Sequence, residues 1–198
     1  MWSNPITMNH GEWTARIARI LAGHLQQRNY EVLFDHGRPD SDPADKVGKI
    51  ASWVGPSYSY EAILGHLDIA IVVPTTNRVA ALIEIEESTD NPKTLMGDLF
   101  ATLLGERVTF QGQRQLHVGA WTTLLVLAQI AHPNHQARLE YLQTTATQLK
   151  THTDAANSRI GKVILDGFAN EAELETKIKQ YVDSAIERSV KHGSTFMP

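Results

Sequence analysis

Three acidic residues, Asp68, Glu84 and Glu86, interrupt two apolar, strand-like runs in the middle of the chain. A Pro-Thr-Thr-Asn-Arg segment separates the runs and is typical of a turn, so the sequence predicts a β-hairpin. If Val73 pairs with Val79, Asp68 lies opposite Glu84 and both side chains point to one face of the hairpin. Glu86 shares that face because it lies two residues further along the strand.

Three carboxylates packed together beside apolar side chains repel one another and lose hydration, unless protons or a cation relieve the charge. Mg²⁺ prefers such hard oxygen ligands and completes its six ligands with water and phosphate oxygens. The pattern therefore predicts a metal site formed by Asp68, Glu84 and Glu86, with Mn²⁺ as a substitute ion. The ordinary alternative is a solvated acidic strand end, since a register shift of one residue would separate Asp68 from Glu84.

Size and composition predict one α/β domain that spans residues 1–198. The formal net charge of -4 gives no global positive field for nucleic acid, so phosphate contacts must come from local patches. The N-terminus lacks the pattern of a secretion signal, and the longest apolar stretch, residues 120–131, is too short to cross a bilayer. We expect an intracellular, cytoplasmic protein without a membrane partner.

Helical and strand periodicities alternate along the chain and predict a mixed central β-sheet with helices packed on both faces. Between the first strand and the hairpin, residues 35–59 are predicted to be a mobile loop region with helical turns around 44–53. The predicted helices are 12–29, 92–105, 134–150 and one that opens at Asn170, and the predicted strands are 30–34, the hairpin, a strand within 116–130, and 162–168.

The order of these motifs resembles the restriction endonuclease-like, or PD-(D/E)xK, nuclease superfamily. Members typically have a glutamate on a first helix, a hairpin that bears an aspartate and a (D/E)-x-K triplet, and then a helix and another core strand. The corresponding elements here are Gly11-Glu12, Asp68, Glu84-Ile85-Glu86, the helix at Pro92 and the strand around Trp121. The resemblance covers residues 11–130. It implies a Mg²⁺-dependent deoxyribonuclease in which Glu12, Asp68, Glu84 and Glu86 are catalytic.

Glu86 departs from the family pattern, because most members have lysine at the end of the triplet. Some restriction enzymes carry a Glu-x-Glu triplet, and this likeness favours a restriction enzyme that acts as a homodimer. The opening helix and strand instead look like those of Holliday junction resolvases, which favours a structure-specific repair or recombination nuclease. The missing lysine supports a third reading, a catalytically inactive nuclease-fold protein that acts in DNA binding or assembly.

Two further features concern the predicted site. Glu12 also has an ordinary explanation, because a glutamate in the first turn of a helix is stabilised by the helix dipole. His66 falls on the same strand face as Asp68 in the predicted hairpin. Candidate phosphate contacts, which the sequence does not place on one surface, are Arg16, Arg19, Arg28, Lys46, Lys49, Arg107 and Arg114.

Overall fold

A computed structural model describes residues 10–37, 41–86, 92–130, 133–155 and 159–193. The helices in chain order are α1 (His10–His24), α2 (Pro92–Leu104), α3 (Pro133–Ala155) and α4 (Glu171–Gly193), with one 3₁₀ turn at Tyr60–Ala62. The strands are β1 (Glu31–Phe34), β2 (Ile50–Trp53), β3 (Ile63–Leu67), β4 (Ile69–Val73), β5 (Arg78–Glu86), β6 (Arg107–Phe110), β7 (Arg114–Leu116), β8 (Thr123–Gln129) and β9 (Lys162–Phe168).

The central sheet has five strands in the order β1-β4-β5-β8-β9. β1, β4 and β5 are antiparallel neighbours, whereas β5, β8 and β9 run parallel. The prediction of a mixed α/β fold with a mixed central sheet is confirmed.

Helices cover both faces of this sheet because its central strands are apolar on both sides. Ile83 and Ile85 of β5 lie in a core with α1 and α4. Leu82 of the same strand lies in a second core with α2 and α3. Since side chains alternate along a strand, Glu84 points to the face of Leu82. None of the described helices combines the length and apolarity needed to span a membrane.

A second sheet, antiparallel and four-stranded in the order β3-β2-β6-β7, was not predicted. The expected helical turns around 44–53 are wrong beyond a turn at 44–46, because 50–53 form β2 and all four residues are buried. β2 pairs with β3 and with β6, which starts 54 residues after β2 ends. A strand of four residues is too short to show a periodic pattern, and its partner β6 is distant in the sequence, so β2 could not be predicted from local sequence.

The hairpin of β4 and β5 is present, but its register differs from the prediction near the turn. Val73 pairs with Arg78 rather than with Val79. A β-bulge between Ile71 and Val72 then shifts the register, so that Ile69 pairs with Ile83. The pairing beyond the bulge is the predicted one, and it determines which residues meet at the open end of the hairpin.

Helix α4 begins as predicted at a capping-box-like sequence. The side chain of Asn170 accepts a hydrogen bond from the Glu173 N–H at 3.0 Å, and the Glu173 carboxylate accepts one from the Ala169 N–H at 2.8 Å. The preceding strand, β9, has the predicted limits of 162–168. The corresponding capping residues predicted for α2, Asp90 and Asn91, lie outside the described residues.

Candidate active site

Asp68 occupies the bend between β3 and β4 rather than a position within a strand. Its side chain is buried, with 3% of the residue exposed. One carboxylate oxygen accepts a hydrogen bond from the Thr14 hydroxyl of α1 at 3.2 Å, and the other accepts one from the Ile85 N–H at 2.8 Å. Because Ile85 is the middle residue of the acidic triplet, this second bond holds the Asp68 carboxylate beside Glu84 and Glu86.

Glu84 is a buried carboxyl group with an unsatisfied oxygen. Only 5% of the residue is exposed, and its Oε1 atom has no hydrogen-bond partner among the described residues. Burial raises the pKa of Glu84 well above its ordinary value, and the nearby carboxylates of Asp68, Asp98 and Glu86 raise it further. A backbone hydrogen bond from Asp68 opposes the shift. This carboxyl group therefore holds a proton readily unless a cation compensates its charge.

These residues line a cleft of about 200 Å³, which we call the acidic cleft. Its walls carry five carboxyl groups, two imidazoles and one ammonium group. The lining residues are Asp35, His36, Lys49, His66, Leu67, Asp68, Glu84, Glu86 and Asp98. The three acidic residues singled out from the sequence thus meet at one place, with two further carboxylates beside them.

Glu12, the fourth predicted site residue, lies in the first turn of α1 and is exposed. It is not one of the side chains that line the acidic cleft. The start of α1 nevertheless reaches the cleft, because Thr14 donates to Asp68 and a Cβ at Gly11 would lie 3.2 Å from the Cβ of His36. A catalytic role for Glu12 stays a prediction.

Basic side chains from separate segments of the chain also line the acidic cleft. Lys49, just before β2, places its ammonium 2.9 Å from the Asp35 carboxylate at the end of β1. Burial lowers the pKa of His66 on β3, and Lys49 lowers it further, while Asp35 has the opposite effect. The prediction that His66 lies on the same strand face as Asp68 is wrong, because β3 ends at Leu67 in the second sheet and Asp68 lies in the bend after it, although both residues line the acidic cleft.

Sequence reasoning missed the site positions of Asp35 and Asp98 and assigned Lys49 to a loop. The sequence does indicate the orientation of Asp98, because this residue follows the buried Leu95 by three positions and therefore lies on the same side of α2. Asp35 directly follows an apolar strand, as metal-binding acids often do. Lys49 could not be placed, because the strand that positions it was not recognised.

The basic side chains predicted to contact phosphate are mostly bound to carboxylates. Arg107 differs, since its guanidinium lies 5.1 Å from the centre of the Trp53 ring and it donates to the Pro56 carbonyl. The ion pairs are Arg16–Glu171, Arg19–Asp42, Arg28–Asp183, Lys46–Glu31, Lys49–Asp35 and Arg114–Glu31. As they stand, these side chains contribute little net positive charge to one surface.

The carboxylates of the acidic cleft offer oxygen donors to a divalent cation. In the part of the chain that the structure describes, no group of three or more His, Asp or Glu side chains is arranged to hold a metal ion. Two carboxylates are nevertheless enough for Mg²⁺, which keeps several water ligands. The buried Glu84 oxygen lacks a donor and lies beside Asp68, so the pair of carboxylates fits such an ion.

Comparison with known proteins found no match to any family model, curated protein or solved structure.

Proposed function

We propose that this protein is a metal-dependent DNA endonuclease that hydrolyses phosphodiester bonds in the acidic cleft. The observation that carries the proposal is the buried, unsatisfied Glu84 carboxyl oxygen beside Asp68. Burying like charges together is unfavourable for folding, and strongly displaced pKa values in a cleft are typical of functional sites. The order of the motifs, which resembles that of the restriction endonuclease-like superfamily, gives the reaction class.

In this proposal Asp68 and Glu84 hold Mg²⁺, or Mn²⁺ in its place. When bound, the ion would lower the pKa of water, polarise the scissile phosphate and neutralise charge that develops during displacement. Thr14 fixes the orientation of the Asp68 carboxylate. Glu86 ends β5 at the cleft and is partly exposed, so it binds the metal or orients the attacking water.

Lys49 supplies a positive charge that the Glu-x-Glu triplet itself lacks. Its ammonium lies at the cleft, where a substrate phosphate would otherwise meet five carboxyl groups. An ammonium at this position attracts the phosphate and opposes its repulsion by the acids. Lys93, an exposed residue in the first turn of α2, does not line the cleft.

A catalytically inactive nuclease-fold protein that acts in DNA binding or assembly is the second candidate. One observation favours it: both oxygens of Asp68 already accept hydrogen bonds from the protein, at Thr14 and Ile85. Such bonds are equally suited to a purely structural aspartate. The two candidates differ in a measurable way, since only the enzyme requires a divalent cation at Asp68 and Glu84.

The deciding experiment incubates the purified chain with plasmid, branched and single-stranded DNA in Mg²⁺ or Mn²⁺. The variants Asp68→Asn and Glu84→Gln should each reduce the rate of cleavage by about 10²-fold or more. Mutating a residue that only supports a metal ligand already lowers activity by about 10–100-fold, and removing the ligand itself should lower it at least as much. Glu61→Gln is the matched control, because Glu61 is fully exposed and outside the cleft. Cleavage by both cleft variants at the wild-type rate would contradict the proposed site.

Calorimetric titration with Mg²⁺ and Mn²⁺ separates the two candidates further. The enzyme should bind the ion through Asp68 and Glu84, and both substitutions should weaken this binding. DNA binding without cleavage, and without metal binding, would support the inactive protein. Preference for branched DNA would favour a repair or recombination nuclease, and sequence-dependent plasmid cleavage by a homodimer would favour a restriction enzyme.

A further inference from the structure

A second pocket, of about 230 Å³, lies between the C-terminal half of α4 and the start of β9. We call it the basic pocket. Three of its side chains carry a permanent positive charge and one carries a negative charge. Its lining residues are Lys162, Ser184, Glu187, Arg188, Lys191 and His192. In a chain with a net charge of -4, this is a local concentration of positive charge.

The hydrogen-bond donors of the basic pocket come from two elements. Ser184, Arg188 and Lys191 are spaced at i, i+4 and i+7, so they share one face of α4. Lys162 is the first residue of β9 and adds an ammonium group that does not depend on the helix. The pocket therefore combines a hydroxyl, a guanidinium and two ammonium groups.

Arg188 is held in place by the backbone beneath the pocket. Its guanidinium donates to the carbonyl of Ala120 at 3.0 Å and to that of Gly161 at 3.3 Å. Glycine is needed at 161, because a Cβ there would lie 1.8 Å from the Ala120 carbonyl oxygen. The Nε atom of Arg188 is buried and has no hydrogen-bond partner among the described residues. The guanidinium is thus fixed before any ligand arrives, and one of its donors is unsatisfied.

The helix end explains only part of this arrangement. The C-terminus of a helix carries roughly half a negative charge, so basic residues in the last turn of α4 stabilise it. The partial charge of the helix end and the single carboxylate of Glu187 together amount to less than the charge of the three positive side chains. Lys162, which lies across the pocket on β9, is not required by the helix end at all.

We propose that the basic pocket binds a phosphate group, as a phosphate monoester or as a phosphodiester. Guanidinium and ammonium groups form charge-assisted hydrogen bonds with phosphate oxygens, and the Ser184 hydroxyl adds a neutral donor. This site is distinct from the acidic cleft. Lys162 pairs with Thr123 at the beginning of the parallel strands, whereas Glu86 pairs with Ala128 towards their end. The inference does not depend on the proposed nuclease activity.

The test is an NMR titration of the ¹⁵N-labelled chain with inorganic phosphate, with chloride at matched ionic strength as the reference. Saturable shifts are expected for the amides of 161–163 and 184–192 and for the Arg188 Nε–H. The double variant Lys162→Gln/Lys191→Gln should weaken binding by about tenfold or more, because it removes two charged donors. Both lysines are exposed, so the melting temperature should change little. Lys93→Gln, an exposed lysine outside the pocket, is the matched control.

Two further titrations identify the source of the phosphate group. A single-stranded oligonucleotide that binds the pocket more tightly than inorganic phosphate, and competes with it, would indicate a nucleic-acid backbone. Inorganic phosphate or a mononucleotide that binds at least as tightly would indicate a small phosphorylated molecule. Absence of saturable shifts with every probe, or equal affinity in the double variant and the wild type, would overturn the proposal.

Discussion

Glu84 on β5 and Asp166 on β9 are both carboxyl groups on strands of the central sheet, yet their pKa values move in opposite directions. Burial would raise the pKa of Asp166, but hydrogen bonds from Tyr181, Lys177 and the Gly167 N–H outweigh it and lower the pKa. Burial likewise raises the pKa of Glu84, and its neighbours add to the rise because they are carboxylates.

Strand register determines this difference. Glu84 and Leu165 both pair with Val126 of β8, so these two residues point to the same face. Asp166, one residue further along, points to the opposite face, where α4 supplies Tyr181 at 2.6 Å and Lys177 at 3.0 Å. Asp166 is partly buried and its donors stabilise its negative charge, whereas one oxygen of the buried Glu84 has no donor among the described residues, which makes Glu84 a candidate functional residue.

The largest effect is expected at the triplet. Glu86→Lys replaces an oxygen ligand by a cation and should weaken Mg²⁺ binding by about 10–100-fold, with a parallel loss of cleavage. Calorimetry and DNA cleavage at one salt concentration measure both. Glu61→Lys makes the same charge change at an exposed position and should have no effect. If the wild type does not cleave DNA and the lysine variant does, the triplet belongs to a site that has lost its activity.

Asp166→Asn should destabilise the folded chain by about 1–2 kcal/mol, because it replaces a charged hydrogen-bond acceptor that has two side-chain donors. Urea unfolding of the variant and the wild type measures the change. Since the pKa of Asp166 is lowered by folding, its contribution is present above the unfolded pKa of about 3.8 and is lost as the pH falls. Mg²⁺ affinity should stay at the wild-type value. A lower affinity in the Asp166 variant would contradict the conclusion that Asp166 and the acidic cleft act independently.

Glu84→Gln should have the opposite effect on stability and raise it by about 1 kcal/mol at neutral pH in EDTA. Folding raises the pKa of Glu84, so the contribution of this group is present below the unfolded pKa of 4.5 and is lost as the pH rises. Thermal melts from pH 4 to pH 8 should show a gain of about 2–4 °C that grows with pH. A variant less stable than the wild type at pH 8 would mean that the Glu84 carboxylate has an unrecognised partner.

Tyr181→Phe should have the smallest effect, a loss of about 0.5–1 kcal/mol, because the hydroxyl that donates to Asp166 is partly exposed. Burial and the bond to Asp166 raise the pKa of Tyr181 from 10.0 to about 12. The stabilisation is therefore present below pH 10 and disappears as the pH rises towards 12. Ultraviolet titration of the phenolic group measures the pKa shift. A pKa near 10 in the folded chain would show that the Tyr181 hydroxyl does not donate to Asp166.

Local sequence patterns were sufficient to locate the described helices and the strands of the central sheet, although α1 ends at His24 rather than at 29 and α3 continues to Ala155 rather than 150. The apolar stripe of α4, with its Asn170 cap, and the run that forms β9 are examples, since each pattern is repeated within a few residues. The meeting of Asp68 and Glu84 was predicted, although through a turn register that the structure does not have and with Asp68 inside a strand rather than in the bend before β4. The β-bulge was not, since nothing in the sequence around Ile71 and Val72 distinguishes it.

By itself, the sequence determined the mixed α/β architecture, which follows from short-range periodicity, and the shared face of Glu84 and Glu86, which lie two residues apart on β5. Tertiary structure alone decided the rest of the acidic cleft. Asp35, Lys49 and Asp98 come from three elements that meet only through the second sheet and the packing of α2. It also decided which acid has a raised pKa and which a lowered one, because the pKa of a carboxyl group depends on the groups that folding brings within a few ångströms of it.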